Sequence, residues 1–268
     1  MPHTVRDGTA LYWEQHGSGE PVLMIMGLSF TLDMWYRLLP AVASRYRAIL
    51  FDNRGVGRSD TPPGPYSMAQ LADDACAVLD AAGVASAPVL GASMGGMIAQ
   101  ELCFRHPHRV EALLLGCTGP SGFHSKLPQF GPAQPIRLAT ETIREKREWL
   151  LAPMLYADTT PRSRIEEDIQ VRMRYPLRPA GIFSQIAAIL RWTSYSRLPQ
   201  IKVPTLVLHG DRDRLVPLTN GQMLAARIPG AELVVAPGAA HVLTTDAPEF
   251  VEREVLRYLA ALWHMRSA

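Results

Sequence analysis

An α/β fold is the architecture this sequence predicts, with a mostly parallel central sheet, helices on both faces and a helical insertion. Three observations carry that reading. Short apolar runs alternate with segments of helical periodicity, the grammar of a sheet covered on both sides. One run ends in Gly91-Ala92-Ser93-Met94-Gly95-Gly96, where a strand must reverse into a helix within a few residues. From Pro120 to Pro199 the alternation gives way to proline-punctuated helical pieces, and it resumes afterwards.

The elements follow in order. Leu11–His16 alternates as a strand and closes on Gly17-Ser18-Gly19. Pro21–Met26 is apolar throughout, as a strand buried on both faces requires, and breaks at Gly27. Asp33–Ala43 reads as helical, Tyr46–Phe51 as a second buried strand, and Asp52–Asp60 as a polar, glycine-punctuated loop. Ser67 caps a helix whose apolar positions Met68, Leu71, Ala75, Val78 and Leu79 keep the 3.6 period until Gly83. Val89-Leu90 leads into the serine turn and its helix, and Arg109–Gly116 is a further strand. The insertion carries helical patterns near 138–151, 163–174 and 180–193. Val203–His209 and Ala231–Ala236 then read as strands, 219–228 as a helix, and Pro248–Trp263 as a closing helix. The expected organisation is a core of residues 1–119 and 200–268 and a helical lid, or cap, of residues 120–199.

Composition narrows the class. A chain of 268 residues, 47% hydrophobic and 19% charged, suits one large globular domain. A formal net charge of +2 does not suggest nucleic acid as a partner. The insertion holds twelve Lys/Arg against seven Asp/Glu, which reads either as solvated faces or as a preference for acidic substrates. Cys76, Cys103 and Cys117 are odd in number and lie in apolar surroundings, so buried reduced thiols are expected. With no signal-like N-terminus and no apolar run long enough to span a membrane, a cytoplasmic monomer or homodimer is expected.

A serine at a sharp strand-to-helix turn is a nucleophile candidate, because only small neighbours fit beside its strained backbone. It needs a base, a carboxylate that orients the base, and donors for the oxyanion. Of eight histidines, His241 sits in the small-residue loop Pro237–Val242, between the last strand and the last helix. His106 and His108 are carried away by the length of the serine's helix. Asp213, beyond the turn in Gly210-Asp211-Arg212-Asp213, can lean toward His241; Asp211 is expected to bond loop backbone, and Asp246 to cap a helix. Met94 at the helix start and Leu28 after Gly27 are placed to offer backbone N–H groups.

Together these marks resemble the α/β-hydrolase fold family over nearly the whole chain apart from the insertion. They are Gly27, Asp52-Asn53-Arg54-Gly55-Val56-Gly57-Arg58-Ser59, the Ser93 turn, the Asp213 loop with Val216-Pro217, and Gly238-Ala239-Ala240-His241. Within it the chain is similar to small carboxylesterases and 3-oxoadipate enol-lactonases, which share a Ser-Met-Gly-Gly-Met turn. The resemblance implies a Ser93–Asp213–His241 triad, an oxyanion hole of the Leu28 and Met94 amides, and no cofactor or metal. One departure is Met26, where the family usually has a histidine that supports the oxyanion loop. Ser93 in place of aspartate separates the chain from epoxide hydrolases and haloalkane dehalogenases. The loop Met26–Phe30 does not resemble the His-Gly-x-Gly-Pro-Gly loop of the carbon–carbon bond hydrolases.

The expected reaction is hydrolysis of a carboxylic ester or lactone through an acyl-enzyme. Phe30, Trp35, Phe123, Trp149, Phe183 and Trp192 are candidates for an apolar pocket on a hydrophobic small molecule. Two alternatives stay open. One is non-hydrolytic chemistry on the same triad, such as perhydrolase, lyase or polyketide-tailoring cyclase activity. The other is a receptor-like binding module with vestigial turnover.

Overall fold

The computed structural model describes residues 3–126, 128–129, 137 and 141–267. Among the described residues eight strands form one sheet in the order β1-β2-β4-β3-β5-β6-β7-β8. They are β1 (His3–Arg6), β2 (Thr9–His16), β3 (Pro21–Ile25), β4 (Arg47–Phe51), β5 (Ala87–Ala92), β6 (Val110–Gly116), β7 (Thr205–Gly210) and β8 (Glu232–Ala236). The β1/β2 and β2/β4 pairs are antiparallel, and every other pair is parallel. β1 is absent from the sequence expectations because its exposure alternates without a buried side, leaving no apolar pattern to read.

The period of two sorts the strand residues into two cores. Leu23, Ile25, Val89, Leu113, Leu115 and Val207 face one cluster with helices α2 (Met68–Ala81) and α3 (Met94–Arg105). Their neighbours Val22, Met24, Leu90, Leu114, Leu206 and Leu208 face the other, with α1 (Leu39–Ala43) and the last helix. The expected helix over Asp33–Ala43 is instead a 3-10 turn, Leu32–Trp35, followed by α1. Ser67 caps α2 as expected, in a reciprocal capping box with Gln70.

Between β6 and β7 lie α4 (Arg144–Leu155), α5 (Arg162–Met173) and α6 (Pro179–Leu190). Residues 138–140 of the first expected helix lie outside the described residues. The chain closes through α7 (Leu218–Arg227), α8 (Leu243–Asp246) and α9 (Pro248–Ser267). Among the described residues no helix is long and apolar enough to cross a membrane.

This topology sets which loops meet at one edge of the sheet. β3 pairs with β4 on one side and β5 on the other, so the chain reverses its direction of travel across the sheet there. A crevice opens at such a switch point, at the C-terminal ends of the strands. Gly27, Ser93, Cys117, Asp213 and His241 all follow the C-terminal ends of their strands, β3, β5, β6, β7 and β8.

Candidate active site

Ser93 joins β5 to α3 with φ 55° and ψ −119°, a conformation that a side chain rarely adopts. Its own N–H reaches the Gly116 carbonyl at 2.8 Å, and its carbonyl takes the Gly96 N–H at 2.9 Å. The turn is possible because Gly91 and Gly95, two residues to either side, lack side chains. A Cβ on Gly95 would strike the Ile25 carbonyl, and one on Gly91 would strike the Gly95 carbonyl. Met94, the first residue of α3, is fully buried.

Two loops at the other side of the edge bring an acid and a base together. Gly210 ends β7 against the carbonyls of Ala239 and Ala240, where any side chain would collide. The His241 Nδ1 then stands 2.8 Å from Asp213 Oδ2, with both side chains buried. The other Asp213 oxygen accepts the N–H groups of Leu215 at 2.9 Å and Val216 at 2.8 Å. Burial alone would raise the Asp213 carboxyl; the charge and hydrogen bond of His241, with His209 and the Val216 amide, hold it below its usual value. A carboxylate only accepts, so in this contact His241 donates from Nδ1 to Asp213. Asp211 does bond loop backbone, accepting the Gly238 N–H at 2.8 Å.

The loop after β3 lies directly beside the serine. A Cβ on Gly27 would come within 3.0 Å of the Ser93 Cβ and 3.6 Å of its Oγ. Met26 is buried in the apolar cluster under the loop, and its carbonyl accepts the Asn53 side-chain amide at 2.9 Å. Asp52 buttresses the same loop, accepting the Leu32 N–H at 2.8 Å and the Arg58 Nε at 2.8 Å. The glycine-punctuated stretch after β4 is thus a brace for the loop after β3. Gln185 of α6, fully buried, accepts the Ser29 N–H at 3.1 Å and donates to the Arg54 carbonyl at 2.9 Å.

Asp246 overturns the expectation of a helix cap. It ends α8, and its carboxylate accepts N–H groups from Ala240 at 2.6 Å and Ala157 at 3.2 Å, with the Thr160 hydroxyl at 2.6 Å. It therefore ties the His241 loop to the end of α4. His209 is another residue whose part the sequence did not reveal. It is fully buried, its Nε2 meets the Val216 carbonyl at 2.7 Å, and burial lowers its pKa.

The expected apolar pocket needs correction. Phe123 is 99% exposed and Phe183 70% exposed, so neither lines an enclosed space. Trp35 is buried in the core beside α1 and α9. Trp192 is buried against α3, where its Nε1 donates to Glu101 at 2.8 Å. Only Phe30 and Trp149 of the six join a cluster that includes Val242, next to His241. Aromatic identity does not tell which way a side chain faces; the backbone around it does.

Cys117, His209 and Asp213 place possible metal-ligand atoms within 4.8 Å of one another. The Asp213 oxygens and His209 Nε2 are already engaged as described, and the Cys117 Sγ contacts the Ala240 carbonyl at 3.6 Å. Burial holds all three cysteine thiols above their usual range, Cys76 and Cys103 at about 11.

Residues 20–248 match the family model described as the alpha/beta hydrolase fold. The chain belongs to the α/β-hydrolase family. It is similar to a protein of Azorhizobium caulinodans provisionally named carbamate hydrolase RutD, at 32% identity over 263 residues covering 96% of this chain and 98% of that one. A solved structure of Est816, described as an N-acyl homoserine lactone degrading enzyme, superposes with a TM-score of 0.80 at 31% identity, covering 96% and 99% of the two chains. The enol-lactonase of Burkholderia xenovorans LB400 superposes with a TM-score of 0.83 at 26% identity, covering 97% and 100%. By this membership the chain is a hydrolase of the α/β-hydrolase family.

Proposed function

We propose that the protein cleaves a carboxylic ester or lactone through an acyl-enzyme on Ser93. The observation that carries this is the strained Ser93 turn on the same sheet edge as the buried His241–Asp213 pair, 2.8 Å apart. His241 Nε2 takes the Ser93 proton as Oγ attacks the carbonyl carbon. The amides of Leu28 and Met94 receive the oxyanion, the second aided by the positive end of α3. His241 then returns the proton to the leaving oxygen, and water repeats the sequence to release the acid.

In this reading α4, α5 and α6 form a lid over the site, and the substrate is a small molecule. The relatives named for lactone cleavage favour an ester or lactone carbonyl. The test is turnover of short p-nitrophenyl esters by the wild type and by Ser93→Ala. Hydrolysis by the wild type and none by the variant is expected. Equal rates in the two would remove Ser93 from the reaction.

A further inference from the structure

Helix α6 is turned inside out. Its buried positions are Gly181, Ser184, Gln185 and Ala188, which share one face at the i, i+3, i+4, i+7 spacing. The opposite face is Pro179, Phe183, Ile186, Ala187 and Leu190, apolar throughout, with Phe183 70% and Leu190 76% exposed. The inner face has a local cause. Gly181 lies against Gly55 with no room for a side chain, and Gly64 abuts Ser184 in the same way. Gln185 bonds the Ser29 N–H and the Arg54 carbonyl. The outer face has no such cause, since a surface helix ordinarily turns its apolar stripe toward the core. Among the described residues, no element covers Phe183 or Leu190.

The surroundings extend this face and give it a sign of charge. The loop that meets Ser184 exposes Pro63, Gly64 and Pro65. From residue 169 to residue 210 the chain carries Arg172, Arg174, Arg178, Arg191, Arg197 and Lys202 and no Asp or Glu. Arg178 and Arg191 stand at the two ends of α6. Arg178 bonds neutral groups, the Ser59 carbonyl at 3.0 Å and the Thr61 hydroxyl at 3.1 Å. Arg191 is exposed and forms no ion pair among the described residues. Asp60, next to Thr61 in sequence, is turned to the Ala10 N–H at 2.8 Å.

Area and charge together name the partner. At such exposure side chains of this size offer roughly 100–150 Å² each, so the face amounts to about 400 Å². A stable protein interface covers about 800 Å² on each partner. A lipid surface asks for less. It takes apolar side chains at the acyl boundary and cations at the depth of the headgroup phosphates. We propose that the outer face of α6 docks on an anionic lipid bilayer, with Phe183, Ile186 and Leu190 at the acyl boundary and Arg178 and Arg191 against the headgroups. The inference does not depend on the reading of Ser93. Gln185, on the inner face of the same helix, ties the docked helix to the loop after β3.

The test is co-sedimentation of the full chain with vesicles of phosphatidylcholine alone and of phosphatidylcholine mixed with phosphatidylglycerol. The wild type pellets with the mixed vesicles, and high salt or the neutral vesicles weaken binding roughly tenfold. Phe183→Ser with Leu190→Ser, at two exposed positions that the fold does not need, lowers binding by tenfold or more at unchanged Tm. Arg191→Gln lowers it by about fivefold and only on the mixed vesicles. A wild type that stays in the supernatant with the mixed vesicles overturns the proposal, and so does a double variant that binds as the wild type does. Light scattering on the same proteins tests the other occupant. A wild-type dimer that the double variant turns into monomers would put a second copy of the chain on this face and overturn the lipid surface.

Discussion

The peptide N–H of His241 donates to the carbonyl of Leu155 at 3.1 Å, so the proposed base is positioned by the last turn of α4 as well as by its own loop. The Val242 N–H ends on the same carbonyl at 2.9 Å. Asp246 reinforces the joint, and Asp168 of α5 adds bonds to the Thr245 and Tyr36 hydroxyls at 2.6 Å each. The inserted helices are thus stapled to the core on the histidine side.

Asp246→Ala strands the N–H groups of Ala240 and Ala157, each costing roughly 1–3 kcal/mol of stability. Displacement of the His241 loop lowers kcat by about ten- to hundredfold. Urea unfolding and ester kinetics on the same preparation check both parts. A variant as stable and as active as the wild type would mean that the joint does not position His241.

Gln185 holds the loop after β3 from the opposite side. Gln185→Leu frees the Ser29 N–H and the Arg54 carbonyl and lets the neighbouring Leu28 amide drift. The expected outcome is a kcat lower by roughly tenfold or more with a smaller change in KM, since an oxyanion donor acts in the transition state. A loss confined to KM would assign Gln185 to substrate binding instead.

His209 makes a prediction about pH. Burial holds it neutral in the folded state below its usual value, so the unfolded chain takes up a proton first as pH falls. Its contribution is complete above the unfolded value of about 6.5 and drains as pH drops toward the folded one, by up to about 1.4 kcal/mol per pH unit. His209→Gln keeps a donor for the Val216 carbonyl and removes the titration. Urea unfolding at pH 7.5 and 5.5 should show a smaller acid loss in the variant than in the wild type; an identical loss would place the acid sensitivity elsewhere.

Much of the fold was legible because buried parallel strands are apolar on both faces and helices repeat at 3.6 residues, patterns visible within a few residues of sequence. Ser93, Asp213 and His241 could be picked out for a related reason, since each follows a strand at a glycine-rich turn. Gln185 was not legible, because its partner Ser29 lies 156 residues away and glutamine in a helix carries no local signal. Asp246 was misread for the same reason. Its position before Ala247-Pro248 looks like a cap, but its bonds run to Ala240 and, across 89 residues, to Ala157. Trp35 and Trp192 show the limit for the pocket, since a buried tryptophan in the core and one beneath a lid have the same sequence.

The most direct test of Ser93 as an activated nucleophile is its reaction with a fluorophosphonate probe, read by intact mass and peptide mapping. One adduct on Ser93 is expected, absent in Ser93→Ala and much slower to form in His241→Ala. A wild-type protein that stays unmodified, or that carries its adduct on another residue, would contradict the account.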